Sequence, residues 1–224
     1  MKRLLVILLA FGLLAGTAWG ESFGSWSNSN SKIKKTRIGV GPNYTKIDSK
    51  GKIDLFGDAR YRTGFWLDAS GIGKNPNKKP VAVKHGQGVA LEFTDNNDLE
   101  GLFNFRLPSS MDSGEDMTLS IGWSSPAVDK NCAWTIVYNF TALGEATDLT
   151  GTTQNVYAPC ADGANELVVT TFTIPAANYD SDDICGHFTI ERRGGVENDT
   201  LAASAFLPGI CVQIMSDKLT GLNR

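Results

Sequence analysis

Histidine is nearly absent from this chain of 224 residues: there are two, His85 and His187. Nothing places either beside an activated nucleophile. No G-x-S-x-G elbow occurs, and no Ser or Cys sits in a recognisable nucleophile setting. There is no C-x-x-C pair, so a zinc site would rest on Cys185-x-His187 alone, which is too little. Gly71-Ile72-Gly73-Lys74 lacks the Walker spacing, because Asp68 stands where the first glycine belongs and Asn75 follows the lysine. After residue 20 no apolar run is long enough to cross a bilayer. Basic residues do not cluster with aromatics, and the formal charge is −3; both argue against nucleic acid as a partner. These absences exclude most metal, nucleotide and hydrolase chemistry and predict a protein that is not an enzyme.

What the chain has is alternation. Between residues 88 and 214, short segments such as MTLSIGWSSP, NCAWTIVYNF, ELVVTTFTI, ICGHFTIERR and AFLPGICVQI alternate apolar with polar residues and are bounded by turn residues. That period of two is the signature of strands with one buried face, repeated often enough for a two-layer core. Trp123, Trp134, Phe103, Phe105, Tyr138 and Phe140 fall mostly on the apolar phase and are read as core. His187 alternates with Phe188 and so faces away from the core. The expected fold is an all-β, antiparallel, jelly-roll-like β-sandwich with an extended N-terminal arm and a small hairpin.

Residues 1–20 read as a secretory signal: Lys2 and Arg3, an apolar run over residues 4–14, then Ala18-Trp19-Gly20 at the cleavage position. Residues 21–56 form the arm and hairpin, with Ser49-Lys50-Gly51 as the turn. Residues 57–224 form the sandwich body, in which Pro80 opens an edge strand ending at His85. The expected location is therefore extracellular, with no membrane span once the signal is removed.

The four cysteines, Cys132, Cys160, Cys185 and Cys211, are an even set in an exported chain, which predicts two disulfides. Facing residues of an antiparallel hairpin share a constant index sum, and this predicts Cys132–Cys160 and Cys185–Cys211. Acidic residues gather in loops, at Asp95/Asp98/Glu100, Asp112/Glu115/Asp116, Asp180/Asp182/Asp183 and Glu197/Asp199. Such oxygen ligands suit calcium, but the EF-hand spacing breaks at Leu99, so no cofactor or metal is assigned and calcium stays open.

Charge divides along the chain. Residues 21–88 hold 13 Lys and Arg against 5 Asp and Glu, and residues 89–224 hold 6 against 19. One reading is two solvated faces. The other is contact between subunits: the arm, residues 21–40, would pair with a neighbour's sheet edge, its isoleucines filling pockets and its lysines meeting the acidic body. The interface candidates are Trp26, Ile33, Lys34, Lys35, Ile38, Val40 and Trp66.

A further pattern runs through Gly57-Asp58-Ala59-Arg60, Trp66 with Asp68-Ala69, VALEF (89–93), LPSSMD (107–112), LSIGW (119–123), NCAW (131–134) and ENDTLAASAFLPGICVQI (197–214). This order resembles β-sandwich structural modules coded by tailed phages, prophages and environmental virus-like sequences, over about residues 52–215. The resemblance implies a virion-like fibre or head-associated subunit, a symmetric homo-oligomer and no catalysis; the signal segment sets this chain apart by pointing to export. The expected function is thus a self-associating subunit of an extracellular filament or appendage. The alternative is a secreted module that binds cell-surface glycan.

Overall fold

The structure is a computed structural model that describes residues 35–48, 52–95, 97–146 and 150–217. The signal segment and most of the arm, including Trp26, Ile33 and Lys34, lie outside the described residues. Among the described residues there are fourteen strands, in order: β1 Lys35–Val40, β2 Asn43–Asp48, β3 Ile53–Phe56, β4 Tyr61–Asp68, β5 Gly73–Lys74, β6 Val81–His85, β7 Gly88–Phe93, β8 Asp98–Arg106, β9 Met117–Ser124, β10 Asn131–Ala142, β11 Thr152–Pro159, β12 Val168–Ile174, β13 Asp183–Arg193 and β14 Ala205–Ser216. All their pairings are antiparallel.

The alternating segments build two large sheets. One runs β11-β10-β13-β8-β5; the other runs β12-β9-β14-β7-β6, with β4 also paired to β14. β4 meets β14 from Gly209 to Ser216 and β7 meets it from Ala205 to Leu207, so two strands share one side of β14 in succession. The apolar phase of both sheets forms a single core, in which Trp134 meets Phe93 and Trp123 edge-on at 5.2 and 5.9 Å. Trp123 donates to the buried Thr170 hydroxyl at 2.8 Å, which satisfies its indole N–H inside the core. The all-β antiparallel sandwich is therefore what the alternation implied, and β6 is an edge strand as Pro80 suggested.

The expected hairpin strands pair as β2 and β3, with the turn at residues 49–51 outside the described residues, and β1 joins them to make a three-stranded sheet. Tyr44 stacks on Phe56 at 4.3 Å, and the Arg37 guanidinium lies 3.8 Å from the Tyr44 ring centroid. Arm residues 35–40 therefore bond to their own chain rather than lying free for a neighbour.

The cysteine expectations need correction. Cys132, Cys160, Cys185 and Cys211 are all free thiols. Cys132 faces Ala158, and the Cys160 N–H donates to the Lys130 carbonyl at 2.7 Å. The two cysteines thus sit diagonally across the ladder instead of opposite, because the β10–β11 turn is centred one residue earlier than the sequence suggested. Burial pushes the Cys132 thiol far above its ordinary range. Cys185 and Cys211 belong to different sheets, because β13 and β14 do not form a hairpin. Both point away from the core, so the whole sandwich separates them.

The acidic loops are mostly engaged within the chain. Glu100 takes Lys78 at 2.6 Å, and Arg60 bridges Asp112 at 2.7 Å and Glu115 at 2.6 Å. The Asp199 carboxylate is wholly buried with Arg192. Among the described residues no group of three or more His, Cys, Asp or Glu could hold a metal ion. Arg60 and Lys78 of the basic half thus find carboxylates of the acidic half within their own chain.

Asp183 is the strained member of these loops. Its carboxylate accepts the Asp180 N–H at 2.9 Å, yet burial, aided by the charges of Asp180, Glu145 and Asp182, pushes its pKa above the ordinary 3.8. The folded state therefore holds this proton more tightly than the unfolded chain. Stability from this group is present at low pH and is lost as pH rises from the ordinary carboxylate range through the raised value. Asp183→Asn should raise the melting temperature at pH 7 and give no gain near pH 3. A gain of equal size at both pH values would rule out this electrostatic cause.

Candidate functional site

The side of the six-stranded sheet that faces away from the core holds the most developed surface feature. Alternation fixes its membership, since every second residue of β4, β14, β9 and β12 points outward. The registers align these residues in rows across the strands. Asp68, Gly209, Gly122 and Val169 form one row; Trp66, Cys211, Ser120 and Thr171 form the next; Gly64, Gln213, Thr118 and Thr173 form the third.

Trp66 is 55% exposed, although it sits in the middle of a paired strand rather than at a loop tip. Its indole lies along the surface. A Cβ added to Gly209 would stand 2.4 Å from its Cζ2, and one added to Gly122, two strands away from β4, would stand 3.4 Å from its Cη2. The two glycines are the floor on which the ring rests, and its outer side is left to solvent. Leu167 and Val169 extend the apolar area toward β12, at 63% and 62% exposed. A stacked His85–Phe206 pair, with ring centroids 4.7 Å apart, occupies the same face beyond the glycine row. The His85 ring also bonds the Ser124 hydroxyl at 2.9 Å.

The other end of the face is polar. Ser120 and Thr171 hydroxyls pair at 3.1 Å. Beyond them Arg62, Gln213, Thr118, Thr173, Glu115 and Asp116 line a cleft of about 360 Å³. Its rim is held in place. Asp116 accepts the Ala176 N–H at 2.9 Å, and the Tyr179 hydroxyl donates to the Glu115 carbonyl. Burial pushes the Tyr179 pKa up to about 12, so the phenol keeps the proton it donates. At the apolar end, Asp68 accepts from the Ser70 hydroxyl and from the N–H groups of Ser70 and Gly71, which together hold its carboxyl below the usual range and fix the turn after β4.

The floor makes a contrast that mutagenesis can read. At Gly122 a methyl meets ordinary van der Waals contact, whereas at Gly209 it also strikes the Leu67 carbonyl, at 2.6 Å. Gly122→Ala should leave stability within about 0.5 kcal/mol of the parent. Gly209→Ala should cost about 1–3 kcal/mol and displace Trp66. Thermal melts of the two variants check this, and equal melting temperatures would refute the floor.

Of the expected interface residues that are described, only Trp66 belongs to this face. Ile38 and Val40 are exposed on the three-stranded sheet together with the Lys35 backbone, so they are not gathered with Trp66. Gly122, Gly209, Arg62, Gln213, Leu167 and Val169 were not singled out from sequence. The signal that could have found them was glycine at an outward position within two otherwise well-patterned strands, which marks a close approach of another group. The opposite sheet offers a smaller outer cleft of about 250 Å³, where His187 is held by Thr141 at 3.1 Å and Asn104 at 3.2 Å.

No protein-family model matches the chain, and no curated protein does. Solved structures do match. The xylan-binding module CBM15 is 13% identical, with 69% of this chain and 97% of that one covered and a TM-score of 0.46. CBM35 from Cellvibrio japonicus Abf62 is 12% identical, with 67% and 92% covered and a TM-score of 0.43. The exo-beta-1,3-galactanase of Phanerochaete chrysosporium is 13% identical, with a TM-score of 0.44; 75% of this chain is covered, which spans about a third (32%) of the galactanase. The expectation of a self-associating filament or virion-like subunit is corrected here: residues 35–40, the described part of the expected exchange arm, pair as a strand in a sheet of their own chain.

Proposed function

We propose that the chain is a secreted glycan-binding module and that it binds carbohydrate on the Trp66 face. One observation carries this reading: a tryptophan laid flat over two glycines, one ring face open to water, beside ordered rows of hydroxyl and amide groups. A pyranose ring presents C–H groups on its faces and hydroxyls around its edge. The indole takes the apolar face, and Ser120, Thr171, Thr118 and Gln213 are placed for the hydroxyls. The reading is binding without turnover. Export rests on the signal read in residues 1–20, and no helix among the described residues is long and apolar enough to cross a membrane.

The test is a glycan array followed by calorimetry, using residues 21–224 produced by secretion. Binding to at least one glycan class, competed by the soluble oligosaccharide, is the expected result. Absence of binding across neutral and charged glycans defeats the reading.

A further inference from the structure

We infer, resting on that reading, that the ligand is a neutral oligosaccharide long enough to reach from Trp66 to the cleft at Arg62 and Gln213. Three observations fix its length and charge. Arg62 lies on the same outward phase of β4 as Trp66, four residues away. At ~3.3 Å per residue the two are roughly 13 Å apart along the strand, more than one pyranose ring bridges. A monosaccharide therefore engages one end only, and a longer chain engages both.

The charge of the cleft sets the chemical class. Arg62 is exposed at the cleft and makes no ion pair among the described residues. It is matched against two carboxylates on the same lining, Glu115 and Asp116. Arg60 already offsets Glu115, at 2.6 Å, which leaves Asp116 as the carboxylate facing Arg62 across the cleft lining. An anionic sugar would meet the Asp116 carboxylate beside the one arginine, with no excess of cations to draw it in. A neutral sugar finds both kinds of partner: Arg62 and Gln213 donate to hydroxyl oxygens, and Asp116 and the Gln213 carbonyl accept from hydroxyl protons.

The experiment is titration calorimetry at low and moderate salt. It compares neutral glucan, mannan and galactan hexasaccharides, their disaccharides, and a polygalacturonate oligomer of the same length. The expected result is that at least one neutral hexasaccharide binds tenfold or more tighter than its disaccharide and than the uronate oligomer. Arg62→Ala should bring hexasaccharide affinity down toward the disaccharide value and leave disaccharide affinity unchanged. Salt-sensitive preference for the uronate oligomer, still abolished by Trp66→Ala, overturns the neutral class and leaves the Trp66 reading standing. Equal affinity for disaccharide and hexasaccharide overturns the reach to the cleft. Failure of every ligand to bind overturns the Trp66 reading itself.

Discussion

Replacing Arg192 with methionine is expected to remove about 3–5 kcal/mol of stability. Arg192 is completely buried, a rare state for a guanidinium that demands a full set of partners. The structure supplies them. Nε and Nη2 fork onto the two oxygens of Asp199 at 3.1 Å each; Nη1 donates to the carbonyls of Phe93 at 3.0 Å and Ala203 at 2.6 Å; Nη2 also donates to the Leu201 carbonyl. Asp199 in turn accepts the N–H groups of Ala133 and Leu201 at 3.1 Å. One side chain of β13 therefore ties together the end of β7 in the opposite sheet and the connection that leads to β14.

Methionine fills much of the volume but leaves the Asp199 charge buried without its cation and three carbonyls without a donor. The penalty is the uncompensated desolvation, not the loss of a favourable pair. For a domain of this size the melting temperature should fall by about 10 °C or more. Urea unfolding should show a lower midpoint with an unchanged slope. A loss below about 1 kcal/mol would mean that the pair behaves like a surface bridge. The loop that reads in sequence as an ordinary acidic turn, Glu197/Asp199, is thus half of a buried ion pair.

Trp66→Ala should have the opposite profile: little change in stability and a large change in binding. The ring is more than half exposed and covers glycine rather than core, so the melting temperature should move by only a few degrees. An aromatic that forms the centre of a contact carries about 2 kcal/mol or more, which corresponds to roughly thirtyfold in affinity. Trp66→Phe should recover part of the affinity, since a smaller ring on the same floor retains some stacking. Calorimetry with the glycan identified on the array measures both. Unchanged affinity in the alanine variant would place the ligand elsewhere, with the His187 cleft of the other sheet as the next surface to probe.

The core was legible because alternation is a local property. Trp123, Trp134 and Phe103 could be placed inside from their immediate neighbours alone, and so could the outward phase of His187. Strand partnership was less legible. The order β13 then β14, with a turn between, looked like a hairpin, yet each strand pairs within a different sheet. Sequence proximity does not distinguish a hairpin from a connection that crosses between layers, and the Cys185–Cys211 expectation failed for that reason. The candidate site was legible only at Trp66. Its floor comes from residues 122 and 209, on two strands distant in sequence, and nothing short of the register brings those glycines under one ring. The charge split was visible as composition, but its meaning depended on Arg60 and Lys78 finding carboxylates in their own chain.

The flat indole also gives the protein an optical handle. Trp123 and Trp134 are fully buried, while Trp66 alone among the tryptophans of the described residues faces water. Among these three, its emission is the part that a collisional quencher such as iodide can reach in the folded state. A molecule settling on the glycine-floored face would shield that one fluorophore and leave the two interior ones unaltered, so occupancy can be followed by light without attaching any dye.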